Sequence, residues 1–288
     1  MAIRFKMEHA QNTNLFAQTL MRKAAVVCIS AVCLFLASFS PAFCSQTVDY
    51  KNIQGIELVS VFPPFGTDVH HVQGLFMTDE HVFFTSVDKY SAKGWLHKYD
   101  RRNMKLAASR NLAKGLYVHP SGFDYGGGAF WIAMAVYKRE TASKIFEVDP
   151  ETLKARIRFE VEDHIGLIAR DGAAVIGANW NAESFYFWDE DGSLLEKRES
   201  PTGIGYQDCK ADSGFLVCVS GNKLDIIDLK EWRLVKRIEI GDSQVGNAMG
   251  REGVALHGGR VYFLPDDGID ARVYEFRFVP SVEQDAQD

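Results

Sequence analysis

The sequence predicts an all-β protein, a five-bladed β-propeller whose N-terminal strand completes the last blade. Three observations predict it. One unit recurs: a polar pair, a strand, a tight turn and a second strand. It is fullest in His119-Pro120-Ser121-Gly122-Phe123-Asp124-Tyr125, the turn Gly126-Gly127-Gly128, and Ala129-Phe130-Trp131-Ile132-Ala133. Its counterparts begin at His71, Asp163, Tyr206 and Arg251. Aligned on Gly74, Gly122, Gly166, Asp208 and Gly253, the five copies are 48, 44, 42 and 45 residues apart. A period in the forties built from strands alone is the signature of a propeller. The strand segments are also rich in β-branched and aromatic residues, and the turns in glycine and aspartate.

The 288 residues are 47% apolar and 24% charged, enough to bury a core and unlike a disordered chain. The formal net charge is -6. Residues 1–45 carry Arg4, Lys6, Arg22 and Lys23 against Glu8, so the remaining body is more acidic still. An acidic body without a basic stripe argues against a nucleic-acid partner, because phosphate neutralisation supplies most of that affinity.

At the N-terminus, Met21-Arg22-Lys23 leads into an uncharged run from Ala24 to Phe39 and then Ser40-Pro41-Ala42-Phe43-Cys44-Ser45. A basic head, a short apolar stretch and a small-residue exit describe a signal peptide over 1–45, cleaved after Cys44 or Ser45. The run is short for a membrane span, which needs about 20 residues. No stable span is therefore expected after cleavage, and the protein is expected to be periplasmic or secreted. An uncleaved anchor is the alternative; Phe43 before Cys44 is too bulky for a lipidation signal. Glu8 and several amides ahead of the basic pair point to Met21 as the true start.

Cys28, Cys33 and Cys44 lie in that segment, leaving Cys209 and Cys218 in the body. If Ser213-Gly214 is a two-residue hairpin loop, these two face each other across the strands. A cross-strand disulfide is expected in an oxidising compartment, two buried thiols being the alternative. Closing so short a loop stabilises by about 2–3 kcal/mol.

The propeller is expected over residues 46–280. Val48 to Val61 supplies one strand, and Pro63-Pro64 turns the chain inward. Third strands are expected at Gly94–Asp100, Lys144–Asp149, Ser184–Asp189 and Lys223–Asp228. Fourth strands follow at Lys105–Arg110, Ala155–Val161, Leu194–Arg198 and Arg233–Ile240. The fifth copy ends with Ala271 to Phe278, leaving its outer place to the Ile56 region. Asp100, Asp149, Asp189 and Asp228 end the third strands as turn formers, since aspartate bonds its own downstream backbone. Residues 281–288 form an acidic tail expected to be disordered.

In a propeller the starts of the innermost strands converge at one mouth of the axial channel. Here that places His70, His71, His119, Ser121, Asp163, His164, Tyr206, Gln207, Asp208, Arg251 and Glu252 together. Four readings stay open. The channel can be polar and filled only with water. A divalent metal can be held by His71, His119, His164, Asp208 and Glu252, which are the right ligand types. A polar or anionic small molecule can be clamped by Arg251, whose guanidinium fits carboxylate. Acid–base catalysis can fall to Glu252 or Asp208 beside His164. Trp180, within Asn179-Trp180-Asn181, and also Tyr90, Tyr137 and Phe65, offer a stacking wall at the same mouth. Trp95, Trp131, Trp188 and Trp232 fall at regular strand positions and are read as structural. No lysine and serine follow Gly126-Gly127-Gly128, so it is no phosphate loop, and no Gly-x-Ser-x-Gly elbow occurs.

His119-Pro120-Ser121-Gly122, Val148 to Leu153, Asp163 to Gly166, Tyr206 to Cys209 and Tyr262 to Asp266 resemble a bacterial family of exported proteins that carries a domain-of-unknown-function label. That resemblance covers roughly residues 68–278 and implies a fold but no reaction. Val72-Gln73-Gly74-Leu75 is similar to the opening motif of glutamine cyclotransferases, five-bladed propellers with a central glutamate and a tryptophan-rich pocket. It adds Gln73 to the ligand-binding candidates. Arg251-Glu252-Gly253-Val254 resembles the glutamate-glycine start of gluconolactonase-like propellers, which bind a divalent cation. The expected function is binding of a small polar ligand or divalent metal in the axial pocket. The alternatives are an enzyme of the lactone or ester hydrolase or glutaminyl cyclotransferase kind, and a protein-interaction scaffold.

Overall fold

Alternating and continuous apolar runs separated by aspartate and glycine turns leave the chain little choice but short antiparallel strands. A computed structural model describes residues 47–281. It contains twenty strands and two three-residue 3-10 turns. Residues 1–46, over which the signal peptide with Cys28, Cys33 and Cys44 is expected, and the expected tail from 282 onward lie outside the described residues.

In chain order, β1 is Ile53–Val61. A first meander follows: β2 (His71–Met77), β3 (His81–Asp88), β4 (Lys93–Asp100) and β5 (Leu106–Asn111). The second is β6 (Tyr117–Gly126), β7 (Ala129–Val136), β8 (Ser143–Val148) and β9 (Ala155–Val161). The third is β10 (Ile165–Asp171), β11 (Ala174–Asn179), β12 (Ser184–Trp188) and β13 (Leu194–Glu199). The fourth is β14 (Asp208–Asp212), β15 (Phe215–Ser220), β16 (Lys223–Asp228) and β17 (Arg233–Glu239). Last come β18 (Gly253–His257), β19 (Arg260–Leu264) and β20 (Tyr274–Pro280).

Three of the resulting sheets have four strands, and β6–β13 form one of eight. The eight-stranded sheet is two meanders joined by a single parallel contact, Leu167 to Gly122. The final sheet runs β1-β20-β19-β18, with Ile56 opposite Phe278. The arrangement is propeller-like: each meander presents its first strand inward and its last outward. Burial follows the same order, for β6 and β7 are buried almost throughout whereas β5 and β13 are exposed along their length.

The core lies between sheets. Phe83 and Leu96 of the first meander pack on Phe123, Phe130 and Phe146 of the second. Trp131 and Ile145 meet Ile168 and Trp188 of the third. Phe185 and Ala178 meet Cys209 and Leu216 of the fourth, and Val217 and Ile226 meet Val254 and Phe263 of the last sheet. Leu75 and Phe84 of the first meander then share a cluster with Tyr262 and Leu264 of the last.

At the centre the inner strands approach closely. A Cβ on Gly74 would lie 2.7 Å from the Gly122 Cα, and one on Gly122 would lie 2.5 Å from the Asp208 Oδ1. Only glycine permits that approach. Asp208, which occupies the aligned place in the fourth meander, fills the space the glycines leave. Its Oδ2 accepts from the backbone N–H of Leu75 and of Val254, and its Oδ1 accepts from the Lys210 Nζ at 2.6 Å. Asp124 does the same one layer down, its Oδ2 accepting from Arg170 N–H and Ala211 N–H.

The four turn aspartates behave as expected, each accepting two downstream amide N–H groups through one carboxylate oxygen. Cys209 is directly opposite Cys218, and the two form a disulfide. Most third- and fourth-strand boundaries fall within a residue of expectation, and the last strand departs further. The last strand starts at Tyr274 rather than Ala271, because the 3-10 turn Gly268–Asp270 occupies the approach to it.

Candidate functional site

The starts of the inner strands, with the loops that follow the second strands, enclose a pocket of about 420 Å³ at one end of the axis. β2 contributes His71 and Gln73, and β6 contributes His119. His164 stands just before β10, Tyr206 and Gln207 just before β14, and Arg251 and Glu252 just before β18. Trp180 and Asn181 reach it from the loop after β11, and Tyr137 and Arg139 from the loop after β7.

One wall is aromatic. The His119 ring stacks on Trp180 at 5.6 Å and lies tilted against Tyr137 at 4.5 Å, and His164 meets Trp180 edge-on at 4.3 Å. Arg139 lies over the outer face of Trp180. Lys138 O accepts a hydrogen bond from His164 Nδ1, which fixes the tautomer and leaves Nε2 as an acceptor. Neither that Nε2 nor His119 Nδ1 has a partner among the described residues. Burial holds His119 well below the usual histidine value, helped by the nearby His164 and His71, and burial also lowers His164.

His71 and Glu252 of the lining meet Asp266, which lines an adjoining cleft. Asp266 Oδ2 accepts from His71 Nδ1 at 2.8 Å, and Glu252 Oε1 lies 3.8 Å from the same nitrogen. Glu252 is 4% exposed. Its other near neighbour, Arg251 Nε, is 4.0 Å away, so no group among the described residues hydrogen-bonds its carboxylate. Burial, and then the Asp266 charge, push Glu252 well above the usual carboxylate range. Burial opposes ionisation of Asp266 too, but the His71 hydrogen bond outweighs it and brings Asp266 below that range. His71, Glu252 and Asp266 each offer a ligand atom, all within 4.8 Å of one another, and such a trio can hold a metal.

Four expected site residues are not brought into this pocket. Asp208, expected as a catalytic group and metal ligand, is fully buried beneath it and committed to two backbone amides and Lys210. Ser121 is also buried, its Oγ donating to Gly122 O and accepting from Ala133 N–H. Asp163 accepts from Tyr186 Oη and from His164 N–H. His70 turns away at φ 60° and lines an adjoining cleft with Asp68, Lys89 and Tyr90. The metal-capable group that contains His71 and Glu252 includes Asp266 and none of His119, His164 and Asp208, so the expected five-ligand metal set is divided. Of the aromatic candidates, Phe65 belongs to the core and Tyr90 is fully exposed. Neither Arg139, which lines the pocket, nor Asp266, which lines the adjoining cleft and bonds His71, was expected. Asp266 follows β19 as Trp180 follows β11, and that equivalence is the signal that would have found it.

Residues 31–280 match a protein family described as "Family of unknown function (DUF6454)". The chain belongs to that family. No curated protein matches the sequence. Among solved structures, the family member is similar to glutaminyl cyclase of Myxococcus xanthus, at 14% identity over 79% of this chain and 97% of that one, with a TM-score of 0.59. A nidogen–laminin complex matches at 15% identity, over 67% and 72% of the two chains, with a TM-score of 0.45. BamB from Moraxella catarrhalis matches at 12%, over 74% and 61%, with a TM-score of 0.38. The first of these likenesses shows the fold, in line with the propeller expected from the sequence. Among the described residues no helix is long and apolar enough to cross a membrane.

Proposed function

We propose that residues 46–280 form a five-bladed β-propeller, closed by β1 on β20, that binds a small polar molecule in its axial pocket. We read the protein as exported, with residues 1–45 removed. The observation that carries the binding role is a pair of buried imidazole nitrogens in the pocket lining, His119 Nδ1 and His164 Nε2, with no hydrogen-bond partner among the described residues, in a lining that also holds Glu252. A buried polar group left unpaired costs about 1–3 kcal/mol or more, and a bound polar molecule removes that cost. The pocket volume of about 420 Å³ suits a small metabolite. The Trp180–His119–Tyr137 wall offers a flat face for it, and Arg251 and Arg139 at the edge favour an anionic substituent. The disulfide and the signal-like N-terminus support export.

Calorimetric titration with amino acids, glutaminyl dipeptides, sugar acids and lactones tests this reading. At least one member should bind the wild-type chain and bind folded Glu252→Gln at least tenfold more weakly. Absence of binding across the panel, or equal binding by Glu252→Gln, contradicts it.

A second reading is catalysis at the same place, favoured by the presence of Glu252, Gln73 and Trp180 around one pocket in a fold shared with a glutaminyl cyclase. Ammonia release from a glutaminyl peptide, or hydrolysis of a lactone, that disappears in Glu252→Gln would select it over simple binding.

A further inference from the structure

We propose that His71, Glu252 and Asp266 form a three-ligand site for a divalent transition-metal ion of the zinc class, open on the pocket side. The proposal rests on the reading of the axial pocket as a ligand site and names an inorganic component of it.

The donor set is one imidazole nitrogen and two carboxylates, drawn from the inner strand β2, the turn before β18 and the loop after β19. These are ligand types of catalytic zinc sites, which keep three protein ligands and one open position. Zinc–ligand bonds of about 2.0–2.2 Å place neighbouring ligand atoms about 3.3–3.6 Å apart. His71 Nδ1 now lies 2.8 Å from Asp266 Oδ2 and 3.8 Å from Glu252 Oε1, so small side-chain rotations bring the atoms to those separations.

A second observation points to a cation. His71 and Asp266 satisfy each other, and Val72 N–H adds a long contact to Asp266 Oδ1 at 3.4 Å. Glu252 has no such partner, although it is the most buried of the three. Arg251 does not fill the role. Its side chain is half exposed, and it donates to Asn247 Oδ1 rather than to Glu252. An ion between the three side chains supplies the partner that Glu252 lacks. The mixed N and O donors favour zinc or manganese over calcium, which takes six to eight oxygens.

The experiment uses the full chain, stripped with a chelator and dialysed, then titrated with zinc, manganese or calcium alone by calorimetry and checked by elemental analysis. One zinc per chain is expected, with calcium at least tenfold weaker. Asp266→Asn and His71→Gln should each lower zinc affinity at least tenfold while keeping the wild-type near-ultraviolet circular dichroism. His257→Ala removes an exposed His–Asp79 pair of similar geometry and should leave stoichiometry and affinity unchanged. If either ligand variant unfolds, cobalt absorption replaces it as the readout: visible bands of a low-coordinate ion are expected in the wild type. Failure to bind zinc, or undiminished stoichiometric binding in folded Asp266→Asn and His71→Gln, overturns the proposal. A panel molecule that still binds the stripped chain, with no zinc binding, would remove the metal and leave the pocket reading standing.

Discussion

Asp208 is the one non-glycine among the five aligned inner-strand positions, and its surroundings explain why. Its carboxylate holds N–H groups of β2 and β18, and Lys210, itself 2% exposed, neutralises it. The sequence alone made it a candidate catalytic acid, since a carboxylate beside histidines and an arginine reads the same whether it faces a ligand or a backbone. Its role as an axial clasp gives a sharp expectation. Asp208→Ala strands a buried ammonium and should lower unfolding free energy by about 3–5 kcal/mol in urea titrations. Paired with Lys210→Met, it should cost clearly less than Asp208→Ala alone. A loss under 1 kcal/mol for Asp208→Ala would show that the clasp is dispensable. Gly122→Ala should also destabilise, because the added methyl meets the Asp208 carboxylate.

At the scale of elements, the fourth meander carries the disulfide between facing strands β14 and β15. Replacing both cysteines by serine should lower stability by about 2–3 kcal/mol through the freed hairpin loop. An unchanged urea midpoint would remove that contribution. These two strands were legible in advance because Ser213-Gly214 fixes the register by turn chemistry. Likewise the turn aspartates marked the ends of β4, β8, β12 and β16, since an aspartate side chain acts locally and its effect shows in a few residues. What could not be read were contacts between elements remote in sequence. Asp266 meets His71 across 195 residues, and Arg139 reaches Trp180 from another meander. His70 shared the polar pattern of His71, yet its positive φ just before β2 leaves it only in the adjoining cleft, whereas His71 lines both.

For the whole molecule, inter-sheet packing keeps several histidines neutral. His97 lies in the first sheet between Phe84 and Trp95, and burial pushes it down to about 3. The unfolded chain protonates there below its ordinary value of 6.5 while the folded chain does not, so acid favours unfolding. Buried Asp208 and Glu252 shift the other way, so the clean measurement is a difference. From pH 6.5 downward the wild type should lose stability relative to His97→Gln by up to about 1.4 kcal/mol per pH unit. A constant difference across that range would show that His97 is not held neutral.

The most direct test of the account concerns whether remote inner strands share one pocket. In a chain with Cys28, Cys33 and Cys44 changed to serine, cysteines replace Gln73 and Gln207, which are 134 residues apart but line the same pocket. A short bifunctional thiol reagent is then applied, and the linked peptides are read by mass spectrometry. The account predicts an intramolecular Gln73–Gln207 cross-link in the folded monomer. Two thiols that each react singly, or link only between molecules, would contradict it.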